Sequence, residues 1–251
     1  MIRALLARIQ QKHRTVGFPK TEPTLPPDFL GRPELFPQRC SADCRRCIEV
    51  CPTSAVQKKD AVTLDMGRCL FCGQCARECP SGAIRFSRDY RLAASAKADL
   101  LLKGEEYKRA ATLGKELKRL FGRSLKLRQV SAGGCNACEA DTNVLTTVVF
   151  DLSRFGIQFV ASPRHADGLL ITGPVPENMK LALEKTYQAV PAPKLVIAVG
   201  SCAISGGPFA GHPEVHNGAD GIVPVDLYIP GCPPHPITIL DGLLRLLGRI
   251  D

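Results

Sequence analysis

From residue 126 onward the chain alternates between short apolar runs and longer stretches of mixed character. LKLRQVSA, FGIQFVAS, DGLLITG, KLVIAVG and DLYIPG are brief, rich in Leu, Ile and Val, and end in Gly or another small residue. That pattern predicts strands bounded by turns. ENMKLALEKTYQAV and ITILDGLLRLL, by contrast, carry apolar residues at helical spacing. Strands alternating with helices predict a parallel sheet wrapped by helices. In an open sheet of this kind a site forms beyond the carboxyl ends of the strands. Cysteines fall there: Cys135 follows the first run, Cys202 follows KLVIAVG and Cys232 lies in the turn after DLYIPG.

The first half has a different texture. Residues 1–14 predict a short amphipathic helix, with Ile2, Leu5, Leu6 and Ile9 on one face and Arg3, Arg8, Lys12 and Arg14 elsewhere. Two readings stand for it: a helix packed on its own core, or one lying on a membrane surface or a partner. Residues 19–37 are Pro-rich and predict an extended linker. The predicted organisation is an N-terminal helix and linker over 1–37, a cysteine-rich domain over 38–90, a basic helical connector over 91–125 and the sheet domain over 126–251.

Composition narrows the class. The chain has 251 residues, 45% of them hydrophobic, enough for a substantial core. No run of 18 or more apolar residues occurs, so no membrane-spanning helix is predicted. The N-terminus lacks an apolar stretch followed by a small-residue cleavage site, which makes the cytoplasm the expected compartment. Residues 1–130 hold 26 Lys and Arg against 13 Asp and Glu, whereas residues 131–251 hold 7 against 11. A basic half often signals nucleic acid. Here the absence of Trp and the scarcity of aromatics argue against base stacking. Basic charge also offsets thiolate-bound clusters, so no nucleic-acid partner is expected.

The 12 cysteines carry the chemistry. Thiols in the cytosol are kept reduced, so metal ligation is favoured over disulfides. Cys69, Cys72, Cys75 and Cys79, followed by Pro80, form the C-x2-C-x2-C-x3-C-P run of bacterial ferredoxins, whose fourth Cys reaches the other cluster. Cys40, Cys44, Cys47 and Cys51, followed by Pro52, form a second such run. Its first gap is three residues, because Ser41 stands where the usual spacing would put the first Cys. By this pattern Cys40, Cys44, Cys47 and Cys79 hold one cluster, and Cys69, Cys72, Cys75 and Cys51 hold another. CPTSAV and CPSGAI mark an internal duplication. Zinc is the alternative for such runs, and the longer first gap leaves a three-iron centre open.

Cys135, Cys138, Cys202 and Cys232 remain, in the loops GGCNACEAD, GSCAISGG and PGCPPHP. Each loop carries Gly, which lets backbone approach a bulky cofactor. A buried structural role is common for one isolated Cys, but not for four at the strand ends of one sheet. No Ser-His-Asp set, phosphate-binding loop or dinucleotide fingerprint is present, so bond-making chemistry is expected on a partner.

SPRHAD at 162–167, ITGPV at 171–175, GSCAISGG at 200–207 and PVDLYIPGCPPHP at 224–236 carry a resemblance. Over residues 126–248 the chain resembles the small subunit shared by respiratory complex I and the membrane-bound [NiFe] hydrogenases. The resemblance implies an α/β flavodoxin-like parallel-sheet domain with one [4Fe–4S] cluster. With LPPDFLGRPEL at 25–35 and the paired cysteine runs, residues 1–90 resemble the two-cluster, α+β ferredoxin-like subunit of the same complexes, whose N-terminal segment lies against the membrane arm. The chain thus looks like a fusion of two subunits, with three [4Fe–4S] clusters. Cys135-Asn136-Ala137-Cys138 and His165 look like the formate hydrogenlyase-type, group 4 hydrogenase branch, because complex I carries adjacent cysteines and typically Gln at those places. Ala137 departs from the CNGCE form expected there.

The resemblance implies as partners a nickel–iron large subunit, membrane-arm subunits and an electron-donor subunit or ferredoxin, with the chain peripheral on the cytoplasmic side of the cell membrane. It makes Glu139 a candidate for proton transfer near the partner's site, against the alternative of a supporting acid or loop cap. Arg164 and His165 are expected beside the cluster or at the interface, and His212 and His235 stay unassigned. The rival functions are a complex I-like or nickel-free hydrogenase-related assembly, and a free-standing electron carrier.

Overall fold

A computed structural model describes residues 2–12, 14–104 and 107–250. The C-terminal sheet is built from β6 (Leu125–Ser131), β7 (Ile157–Phe159), β8 (Gly168–Thr172), β9 (Leu195–Val199) and β10 (Leu227–Ile229). All four pairings are parallel, and the order is β10-β9-β8-β6-β7. Taken in chain order within the domain this is 2-1-3-4-5, the flavodoxin-like arrangement. All residues of β8, β9 and β10 are buried, as strands covered on both faces must be. The five predicted apolar runs are these five strands.

Helices α6 (Glu177–Ala189) and α8 (Pro236–Leu246) occupy the two predicted helical stretches. Every residue of α8 is buried. An ion pair within it, Arg245 Nε to Asp241 Oδ2 at 2.9 Å, is buried with it. His235, unassigned from the sequence, caps this helix: its Nδ1 accepts from the Ile237 amide at 3.2 Å, with Pro236 at the first helical position.

The cysteine-rich part is two small antiparallel sheets. β1 (Pro33–Leu35) pairs with β4 (Ile84–Phe86). β2 (Val56–Lys58) pairs with β3 (Val62–Asp65), which pairs with β5 (Leu101–Leu102). Two single-turn helices, α2 (Arg46–Glu49) and α3 (Gln74–Arg77), lie at matching places in the two cysteine runs. This part packs on the parallel sheet through one continuous core that joins Leu64, Met66 and Leu100 to Ala198, Ala203, Ile204 and Tyr228. The Ser205 hydroxyl, at the end of α7 (Ser201–Ser205), donates to the Gly67 carbonyl at 2.8 Å in the buried seam. Ala94 and Tyr228 exchange both backbone hydrogen bonds, which closes the β10 edge of the sheet.

One expectation meets a different outcome. The basic stretch 91–125 reads as a helical connector, but among its described residues only α4 (Lys115–Phe121) is α-helical. The backbone in between has long-range partners instead. Leu101 and Leu102 pair with β3, Ala110 N donates to Ala93 O at 2.8 Å, and the Tyr107 hydroxyl donates to the Leu92 and Ala93 carbonyls. Tertiary contacts override the helical propensity of the charge run. Glu105 and Glu106, within that segment, lie outside the described residues.

At the N-terminus α1 (Ile2–Gln11) forms, but it buries none of its residues, so it does not pack on its own core. Met1 and His13 of the predicted helical segment lie outside the described residues. The chain after α1 is tethered where Thr15 Oγ1 and Val16 N donate to the Val148 and Val149 carbonyls. The Pro-rich segment beyond it is extended and fixed by Arg88, which donates to the carbonyls of Leu25, Pro26 and Pro27.

Candidate iron–sulfur centres

The two cysteine runs fold as near-copies. Cys51 and Cys79 each precede a Pro, and each sulfur accepts from the backbone amide four residues on, Ala55 and Ala83, at 3.2 Å. Both turns need a left-handed residue at the same place, filled by Ser54 (φ 52°) and Gly82 (φ 62°). Thr53 and Ser81 put a hydroxyl near the sulfur in each copy. In the second run the Phe71 amide also donates to the Cys69 sulfur, at 3.3 Å.

The thiols sort into three sets by which of them act on one another. Burial pushes the Cys47 thiol up, and Cys79, Cys40 and Cys44 push it further. Burial likewise raises Cys75 to about 12, with Cys51, Cys72 and then Cys47 adding to it. Cys69 is raised by burial, opposed by the Phe71 amide and reinforced by Cys75, Cys51 and Cys72. Cys79 is the exception. Burial raises it, but donors from Ser81, Ala83 and Ile84 outweigh burial and hold its thiol below the usual range.

The third set lies beyond the carboxyl ends of the parallel strands. α5 (Ala137–Val144) starts after the β6 loop and carries Cys138, with Asn136 in the left-handed conformation before it. Cys202 is on α7, after β9, and Cys232 follows β10. Cys138 is raised by burial, then by Cys202, Glu139, Cys232 and Cys135. Cys202 is raised by burial to about 11, with Cys232 and Cys135 adding. Cys232 is raised by burial and feels both Cys135 and Cys72, a residue of the second set. The sets therefore adjoin in a row, the first meeting the second at Cys47 and Cys75, and the second meeting the third at Cys72 and Cys232.

These residues suit an iron–sulfur cluster. Four soft sulfur donors lie near enough to act on one another in each set. Left as thiols they are desolvated and mutually repelled as thiolates, a cost that a cationic iron core removes. Backbone amides already point at sulfurs in the first two sets. Around the third, backbone approaches where no side chain could: a Cβ at Gly200 would lie 2.5 Å from the Cys138 sulfur, and one at Gly207 2.8 Å from that of Cys202. The Ser201 hydroxyl is buried without a hydrogen-bond partner of normal geometry, close enough to Cys232 to favour its thiolate.

Glu139 points inward. It is 6% exposed, and its Oε1 accepts from Ser131 Oγ at 2.6 Å and Thr172 Oγ1 at 2.7 Å, at the ends of β6 and β8. Burial would raise its carboxyl, but the two hydroxyls hold it below the usual range. Gly134 leaves the space, since a Cβ there would sit 2.8 Å from Oε1. Ser131 and Thr172 are not singled out by the sequence, where nothing distinguishes them from other strand-end hydroxyls. Arg164 and His165 form an exposed turn before β8. His212 Nδ1 accepts from the Glu214 amide in a loop.

Residues 135–246 match the family described as NADH ubiquinone oxidoreductase, 20 kDa subunit, and residues 39–83 match a 4Fe-4S dicluster domain. Formate hydrogenlyase subunit 7 of Escherichia coli is 43% identical over 141 residues, covering 56% of this chain and 55% of that protein. A probable membrane-bound hydrogenase subunit, mbhJ, of Pyrococcus furiosus is 40% identical over 135 residues, covering 54% and 81%. An NADH-quinone oxidoreductase subunit of Heliobacterium modesticaldum is 42% identical over 121 residues, covering 48% and 69%. The match thus spans about half the length of the Escherichia coli relative.

Proposed function

This chain belongs to the NADH ubiquinone oxidoreductase 20 kDa subunit family, joined here to a 4Fe-4S dicluster domain, and from that premise we propose that it is the electron-transfer subunit of a membrane-associated, formate hydrogenlyase-type [NiFe] hydrogenase complex. The observation that carries the proposal is the row of three adjoining cysteine sets in one packed body. Cys40, Cys44, Cys47 and Cys79 hold the first [4Fe–4S] cluster, Cys51, Cys69, Cys72 and Cys75 the second, and Cys135, Cys138, Cys202 and Cys232 the third. When bound, these clusters supply one-electron transfer between a donor subunit or ferredoxin and a nickel–iron large subunit.

The protein's own part is to place and tune them. Amides of Ala55, Phe71 and Ala83 hydrogen-bond the sulfurs and stabilise added negative charge. Glu139, fixed by Ser131 and Thr172, ties the start of α5 to two strand ends and so holds the Cys135–Cys138 loop. Its enclosure by those hydroxyls favours an anchoring role over proton transfer. Cys135 and Cys232 are exposed, and α5 ends at exposed Val144 and runs into exposed Val148 and Val149. Apolar surface of this kind beside the third set suits docking on another subunit rather than a free-standing carrier. Among the described residues no helix is long and apolar enough to cross a membrane. Peripheral attachment through α1, on the cytoplasmic face, is part of the same proposal.

Anaerobic isolation of the native complex through this chain tests the reading. Nickel together with hydrogen-dependent viologen reduction is the expected result. Clusters without nickel or that activity would point instead to a complex I-like or nickel-free assembly, a reading that the NADH-quinone oxidoreductase relative favours.

A further inference from the structure

The two cysteine runs differ in one respect: three residues separate Cys40 from Cys44, but two separate Cys69 from Cys72. From Cys44, Cys47 and Cys51 to Cys72, Cys75 and Cys79 the offset is constant, and it carries β2 onto β4 and Lys58 onto Phe86. These two residues brace the corresponding loops by different means. Phe86 packs edge to face on Phe71, inside the Cys69–Cys72 loop, with ring centres 6.2 Å apart. Lys58 reaches back to the Cys40–Cys44 loop, and its Nζ donates to the carbonyls of Ser41, of Ala42 at 2.8 Å and of Cys44 at 3.4 Å.

The extra residue accounts for the exchange. In this three-residue loop the Ser41 carbonyl accepts from the Cys44 amide at 3.3 Å, while among the described residues no backbone amide reaches the Ala42 and Cys44 carbonyls. An ammonium offers three donors from one point, so a single Lys can gather all three. β2 holds it there: Lys58 pairs with Val62, and the Ala55 amide just before the strand donates to the Cys51 sulfur. One short strand thus touches the ligands of two sets.

We propose that Lys58 is the positioning residue for the enlarged Cys40–Cys44 loop, clamping it into cluster-binding shape and placing a fixed positive charge beside the first cluster. That charge favours the reduced state, because net charge around a cluster is one determinant of its potential. Lys58 stands in for the aromatic brace of the second run, and so lets a non-standard spacing hold a full cluster.

This rests on the reading that Cys40, Cys44, Cys47 and Cys79 hold a cluster. That reading fails separately, if the wild-type chain takes up no iron at this set. The test compares full-length wild type, Lys58→Met and Lys58→Arg, each loaded anaerobically with ferrous iron and sulfide. Iron per chain, low-temperature EPR of the reduced protein and the midpoint potential of each signal are measured. Lys58→Met should lose the first-set signal, or shift it to more negative potential, with the other two signals unchanged and therefore the fold intact. Lys58→Arg, which keeps charge and donors, should restore it. A Met variant matching wild type in iron, signals and potentials would overturn the proposal. Should the Met variant lose all signals, Lys58→Gln decides. Its neutral amide should keep the first-set signal at a more negative potential, and an unchanged potential overturns the assignment of charge.

Discussion

A methyl group added at Gly200 would come within 2.5 Å of the Cys138 sulfur, on a backbone whose φ of 88° few side chains tolerate. Gly200→Ala should therefore cost about 1–3 kcal/mol in backbone strain and displace a sulfur that it does not remove. Expected from EPR of the reduced chain is loss of the third-set signal alone, the same outcome as for Cys232→Ser. Retention of all three signals in Cys232→Ser would refute the ligand assignment, and retention in Gly200→Ala alone would show that the loop yields. Glu139 carries the same lesson in a polar form. Its neighbours Ser131 and Thr172 decide its role, and neither can be picked out before the strand ends are brought together.

Among the described α-helices, α1 alone buries none of its residues. Ile2, Leu5, Leu6 and Ile9 are 76%, 62%, 52% and 64% exposed, with Arg3 and Arg8 flanking them. A helix with this division suits a membrane interface, where apolar area and anionic headgroups would draw it. Leu5→Glu with Ile9→Glu should sharply reduce sedimentation with anionic vesicles while leaving iron content and thermal stability unchanged. Equal sedimentation would assign α1 to a protein partner. At the other extreme α8 is wholly enclosed, and its Asp241–Arg245 pair is shielded from water. Burial raises the Asp241 carboxyl while Arg245 lowers it. Asp241→Ala breaks this buried pair and should destabilise the chain by roughly 3–5 kcal/mol in chemical unfolding.

For the whole molecule, the sheet domain was legible because β8, β9 and β10 are buried on both faces and read as unbroken apolar runs. The grouping of the cysteines into neighbouring sets was legible because the doubled run spacing brings Cys79 to the first set and Cys51 to the second. What stayed hidden depends on contacts between distant segments. The stretch 91–125 reads as helix by its charges, yet Leu101, Leu102 and Tyr107 are claimed by β3 and by the backbone of Leu92 and Ala93. α5, a short helix, lacks the strong apolar period that would announce it. Lys58 is one lysine among many until β2 turns it toward the Cys40 loop.

The seam between the halves, with Ser205 bonded to Gly67 and Ala94 stitched to Tyr228, bears on kinetics. Where electron carriers meet by diffusion, each transfer waits on an encounter, and thickening or salting the solvent slows it. Here the second and third sets meet at Cys72 and Cys232, beside a seam whose packing sets their separation. On the proposed function, exchange between them is indifferent to viscosity and ionic strength, and the two outer ends of the row alone depend on another molecule arriving.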